Sequence, residues 1–184
     1  MSTLLDYSVN EKDSKFDIPY PKNSQSTIRL VIGDNCQINL VEENYSINQL
    51  SEDELQKYIK EQISCFDQNE NWSDLLNLSL NSTKNTLGFK VSGSEIPPIE
   101  IFSHASSNSL NAKTLIIFLE KNCDIDLLQV NLGKDNSSLS QSTFLCLEEN
   151  SSVNHGVVSY GENKSNLLNS LNVIQQKNSE YNLG

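Results

Sequence analysis

The chain has 184 residues, enough for one domain with a modest core. Hydrophobic residues make up 36% and charged residues 20%, which is polar for a globular chain but too apolar for a disordered one. A net charge of −11, with Arg29 as the single arginine, argues against phosphate backbones and anionic membranes as partners.

Residues 1–27 are polar and carry Pro19 and Pro21, which favour extended backbone, so they read as a flexible N-terminal segment. Met1 to Asp6 lacks the basic and apolar regions of a secretory signal. No run approaches the ~18–20 apolar residues of a membrane span. Ile28 to Leu40 alternates as a hairpin, with Gly33-Asp34-Asn35 at its turn. The clearest helix follows. Ser51 is a natural N-cap, Glu54 completes a capping box, and Leu50 and Leu55 stand at the staple positions. Leu55, Tyr58, Ile59 and Ile63 share one face. Ser73 to Leu80 reads as a second, shorter helix. Residues 28–95 are thus expected to form a small α/β capping region.

From Thr86 the helical period gives way to alternation. Leu87 to Val91 reads as a strand, Ser92-Gly93-Ser94 as a turn, and Pro97-Pro98 leads into the strand Ile99 to Phe102. Two later segments then copy each other: Phe118-Leu119-Glu120-Lys121-Asn122-Cys123 and Cys146-Leu147-Glu148-Glu149-Asn150-Ser151. Glu120 and Glu148 correspond, at an offset of 148 − 120 = 28, and Val130 and Val158 keep it. A fixed period of this size marks stacked units. Gly133 to Ser137 is turn-rich, Asn166 to Ile174 reads as another strand pair, and Lys177 to Asn182 as one more Asn turn entering one more rung. Residues 96–184 are therefore expected to wind as β-helix coils. The chain should be mainly β, a right-handed parallel β-helix preceded by one or two helices. Solenoid ends need caps, so the coils are expected to be truncated at the C-terminus and to continue in a longer protein.

At these residues a family resemblance enters. Ile96-Pro97-Pro98-Ile99-Glu100-Ile101, then Asn111 to Ile117, then Leu119-Glu120-Lys121-Asn122 resemble the SufB/SufD family of iron–sulfur cluster assembly proteins. So do Leu147 to His155 and Gln175-Gln176-Lys177-Asn178-Ser179. The capped helix, the short helix with Trp72 and the Pro-Ile strand keep the order found in SufD-like members. The resemblance covers roughly residues 28–184. It implies a parallel β-helix that pairs with a SufB-like homologue and a SufC-like ABC ATPase in a cytoplasmic or plastid-stroma complex. An iron–sulfur cluster is handled by that complex as a whole, and no cofactor is expected on this segment. Family members also carry a helical N-terminal region rich in Trp and Arg, which has no counterpart before Ile28. Their later coils and a C-terminal helical segment dock the ATPase.

Metal chemistry would draw on Cys36, Cys123, Cys146, His104 and His155, since thiolates and imidazoles suit iron and zinc. None stands at a close ligand spacing, so no metal ligand is assigned. The four cysteines, Cys65 included, form no CxxC, which fits a reduced setting. Cys123 aligns with Ser151 at a turn edge. Cys146 aligns with Phe118, read as an inward position for a small buried hydrophobe. His155 aligns with Leu127 and is read as a surface residue, and His104 as a loop residue. The acidic pairs are Glu42-Glu43, Glu148-Glu149, and Asp124 with Asp126. Asp124 and Asp126 should share one strand face, where two carboxylates serve calcium or acid–base chemistry, although a solvated rung face is the plainer reading. No serine elbow or phosphate loop occurs, and no catalytic residue is assigned. The expected function is a non-catalytic scaffold subunit of an iron–sulfur cluster assembly complex. The alternatives are a secreted β-helix polysaccharide lyase and an antiparallel β-sandwich binding module.

Overall fold

The computed structural model of the protein describes residues 27–34, 38–40, 46–58 and 85–184. The expected second helix, most of segment 1–27, and Cys36, Glu42, Glu43, Ile59, Ile63 and Cys65 lie outside them. In chain order the elements are β1 (Ile28–Ile32), β2 (Ile38–Leu40), β3 (Ile47–Gln49), α1 (Glu52–Tyr58), β4 (Thr86–Val91) and β5 (Ile99–Ala105). Then come β6 (Leu110–Leu119), β7 (Asp124–Gly133), β8 (Ser138–Leu147), β9 (Ser152–Gly161), β10 (Asn166–Gln175) and β11 (Glu180–Leu183). The stretch expected to be a strand pair near Asn166 is one continuous strand, β10. It pairs residue by residue with β8 from Asn166 beside Ser138 to Gln175 beside Leu147, so the parallel ladder runs through Asn169-Ser170 without a turn.

The strands form a parallel β-solenoid of about four turns. One wall has the order β11-β9-β7-β5-β1-β2, the other β10-β8-β6-β4-β3. The expected period sets the register: Ile125 lies beside Val153, Val130 beside Val158 and Leu119 beside Leu147. Glu148 N–H donates to Leu119 O at 3.1 Å, so Glu120 and Glu148 lie on adjoining coils. β1 and β4 are already laid in parallel against β5 and β6, so residues 28–95 supply strands to both walls. The first strand of each wall is closed by an antiparallel partner, β2 on β1 in the expected hairpin and β3 on β4.

A finer period lies inside the coil. Asn108, Asn122, Asn136, Asn150, Lys164 and Asn178 all have φ between 55° and 62°, and each follows the last by half the coil period (122 − 108 = 14). Each is the third residue of a tight turn, where a type II turn needs positive φ and Asn tolerates it. The fourth residue is Ser or Cys. Its N–H returns to the carbonyl three residues back, as in Ser109 to Ser106 and Cys123 to Glu120. Hydroxyls of Ser109, Ser151, Ser165 and Ser179 donate to the same carbonyls at 2.6 to 2.8 Å.

Strand alternation sorts the side chains. Leu30, Ile101, Leu115, Ile117, Leu119, Leu127, Leu145 and Val153 meet between the walls as the main core. Full burial of each such side chain stabilises by about 1.5–3 kcal/mol. Ile116, Phe118, Phe144 and Cys146 point the other way, beneath Leu55 of α1. The expected inward position of Cys146 is therefore corrected. It is buried, but on the outer face of its wall, alternating with Leu145 and Leu147. Gly88 permits this cover, since a Cβ there would stand 2.6 Å from Leu55 Cδ1. The capping box of α1 is formed: Ser51 N–H donates to Glu54 Oε2 at 2.9 Å, and Glu54 N–H to Ser51 Oγ at 3.4 Å. Hydrogen bonds from the Ser51 hydroxyl and N–H hold the Glu54 carboxyl below its ordinary pKa. Tyr58 packs on Phe118 with ring centroids 4.3 Å apart.

Candidate functional site

The residues nominated from sequence are dispersed. Cys123 is at a turn edge, as expected, and buried. Its Sγ lies 3.4 Å from Gly93 O, and burial raises its pKa. Cys146 is on the outer face of the other wall, under α1. His104 is not in a loop. It belongs to β5 and is only 3% exposed, because apolar Phe102, Val130 and Leu132 bury that face and Gly33 lies against its ring.

The surface reading of His155 is also overturned. The ring is 2% exposed and occupies the interior column of Leu127 and Leu183. Its Nδ1 lies 3.0 Å from Tyr181 Oη, with the rings edge to face. Burial pushes its pKa down to about 4, so it is neutral near pH 7. Its alignment with an inward leucine was the signal, overridden by the usual exposure of histidine.

The carboxylates line the outer wall. Asp124 and Asp126 do share one exposed face, and each accepts a hydrogen bond from the next coil: from Ser152 Oγ at 2.6 Å and from Asn154 Nδ2 at 3.0 Å. Asn182 continues the second column to Asn154 at 3.2 Å, and Asn122, Asn150 and Asn178 form an amide column at the turns. Ion pairs span coils in the same way, Lys134 with Glu162 at 2.6 Å and Lys121 with Glu149 at 3.6 Å. Lys90 pairs with Glu120, which raises the pKa of the lysine. Among the described residues no group of three or more His, Cys, Asp or Glu side chains is placed to hold a metal ion.

Sequence reasoning missed the interior beside the other set of turns. Lys113 is 1% exposed, and its Nζ donates to Ile32 O at 2.9 Å and His104 O at 2.8 Å. Asn111 Nδ2 donates to Asp34 Oδ1 at 2.8 Å, which ties the β1–β2 turn to β6. Thr143 Oγ1 donates to Gln129 Oε1 at 3.0 Å across the interior, and Asn169 Nδ2 to Ser159 Oγ at 2.6 Å. Gln129, Asn131 and Gln141 are buried with them. Each lies on the parity of an inward leucine in its own strand, the signal that could have found it.

A cavity of about 210 Å³ between α1 and β4 is lined by Gln49, Leu50, Leu55, Gln56 and Thr86, with Glu52 the only ionisable lining group among the described residues. It brings no acid and base together. The comparisons add no relative: no family model, curated protein or solved structure matches the chain. Among the described residues the arrangement offers a wall of stacked strands with polar columns on its outer face.

Proposed function

We propose that this chain is a non-catalytic scaffold segment, of the kind found in SufD-like subunits of iron–sulfur cluster assembly complexes. The observation that carries the reading is the run of parallel coils in strict register behind a capped helix, in the motif order described above. Its action is passive. Stacked coils hold a wall, and a strand edge or face of that wall joins a homologous wall by strand addition. The cluster is cargo of the assembled complex. Asp124 and Asp126 are hydrogen-bonded into the surface columns, which weighs against their use as lyase carboxylates. The test is copurification of the complete gene product with a SufB-like homologue and a SufC-like ATPase. A stable complex supports the reading and failure to associate removes it. Lyase activity on acidic polysaccharide with calcium would replace it.

A further inference from the structure

Four buried polar atoms beside the Lys134–Ser137 turn have no hydrogen-bond partner: Ser137 Oγ in the turn itself, and Ser103 Oγ, Asn131 Nδ2 and Gln141 Oε1 in the strands. Their residues are at most 1% exposed. Buried groups of this kind are normally satisfied, so four of them in one part of a core call for a reason. The register places the three strand atoms together. Ser103 is directly beside Asn131 in one wall, and Gln141 directly beside Lys113 in the other. These four strand residues point inward near the Lys134–Ser137 turn. The next coil continues both columns with Ser159 and Asn169, which are exposed and hydrogen-bonded to each other at 2.6 Å. The result is a polar file with Lys113 at its inner end and the Asn169–Ser159 bond at its mouth.

The three strand atoms define the occupant. One is an amide donor, one an amide acceptor, and one a hydroxyl that does both. An anion offers nothing to Gln141 Oε1, and a metal cation nothing to Asn131 Nδ2. The orientation of each amide is set by its other end, where Asn131 Oδ1 accepts from Gln129 Nε2 and Gln141 Nε2 donates to Ser142 O. Only a small neutral molecule that donates and accepts satisfies the set. We propose that this file is a binding site for ordered water linking Ser103, Asn131 and Gln141, with the Asn169–Ser159 hydrogen bond as its gate to solvent. The proposal is independent of any partner of the wall.

Oxygen-17 relaxation dispersion on the full chain counts waters held far longer than bulk water. The wild type should hold at least one, and the Ser103→Ala/Gln141→Leu variant should hold fewer. Asn169→Ala should keep the wild-type count but shorten the residence time by about tenfold, the factor set by one hydrogen bond of ordinary net strength. A wild type without long-lived water, or an unchanged count in the double variant, overturns the proposal. Should the double variant fail to fold, a high-resolution crystal structure of the wild type decides. Water within ~3.2 Å of two of the three strand atoms supports the site, and a dry file rejects it.

Discussion

The two halves of the solenoid interior are built on opposite principles. Beside the turns of Asn122, Asn150 and Asn178 the walls meet through Leu119, Leu147, Ile125 and Val153. Beside the turns of Asn108, Asn136 and Lys164 they meet through Lys113, Gln129, Asn131, Gln141 and Thr143. The backbone ladder is the same in both. The apolar half supplies non-directional burial, and its column of Ile117, Leu145 and Val173 stays aliphatic from coil to coil, while His155 interrupts the column of Leu127 and Leu183. The polar half differs in each coil: Lys113, Gln141, Asn169 in one column and Ser103, Asn131, Ser159 in the other. Directional bonds between unlike partners give every coil its own address, so the polar half resists slippage that the apolar half would permit. One half supplies adhesion and the other supplies registry.

The largest break in this contrast should come from Val153→Asp, which places an unpaired charge in the apolar half and should cost ~4 kcal/mol or more. A denaturation midpoint equal to wild type would mean that Val153 is not interior. Acid tests the same half through His155. Above pH ~6.5 neither the folded nor the unfolded chain protonates this ring. As pH falls from there towards about 4, the unfolded chain takes up a proton that the folded chain refuses, so stability drops, and below about 4 the loss levels off. Stability measured against pH for wild type and His155→Phe should show the gap between them change over that window. In the polar half, Lys113→Met strands the Ile32 and His104 carbonyls and should cost roughly 2 kcal/mol by thermal unfolding. Thr143→Val removes the cross-interior bond to Gln129 and should cost about 1 kcal/mol. Outside both halves, Lys134→Ala should change stability by no more than ~0.5 kcal/mol, because its ion pair with Glu162 is partly exposed and screened by salt.

The coil period was legible because the turn demands it. A positive φ selects Asn, a tight fourth position selects Ser or Cys, and both recur one full coil apart in Asn122-Cys123 and Asn150-Ser151. The half-coil step was hidden because Lys164 rather than Asn163 holds the left-handed position, which moves the visible Asn by one place. The capping box was legible for a local reason, since Ser51 and Glu54 satisfy each other. The face of Cys146 was not. Leu115 to Leu119 is apolar at every position because core and helix bury opposite sides of the strand, so composition erases the parity. The interior polar residues were lost for the converse reason. Lys113 and His155 are types that usually seek water, and only their columns, not their chemistry, place them inside.

The recurring left-handed turn also sets the steps in which such a wall can change length. Each half-coil crosses from one wall to the other, so inserting or deleting a single half-coil would hand every later strand to the opposite side and break both interior columns. Inserting or deleting a complete coil would leave each side chain facing the neighbours it has now. Evolution or an engineer can therefore lengthen this spiral only by whole revolutions.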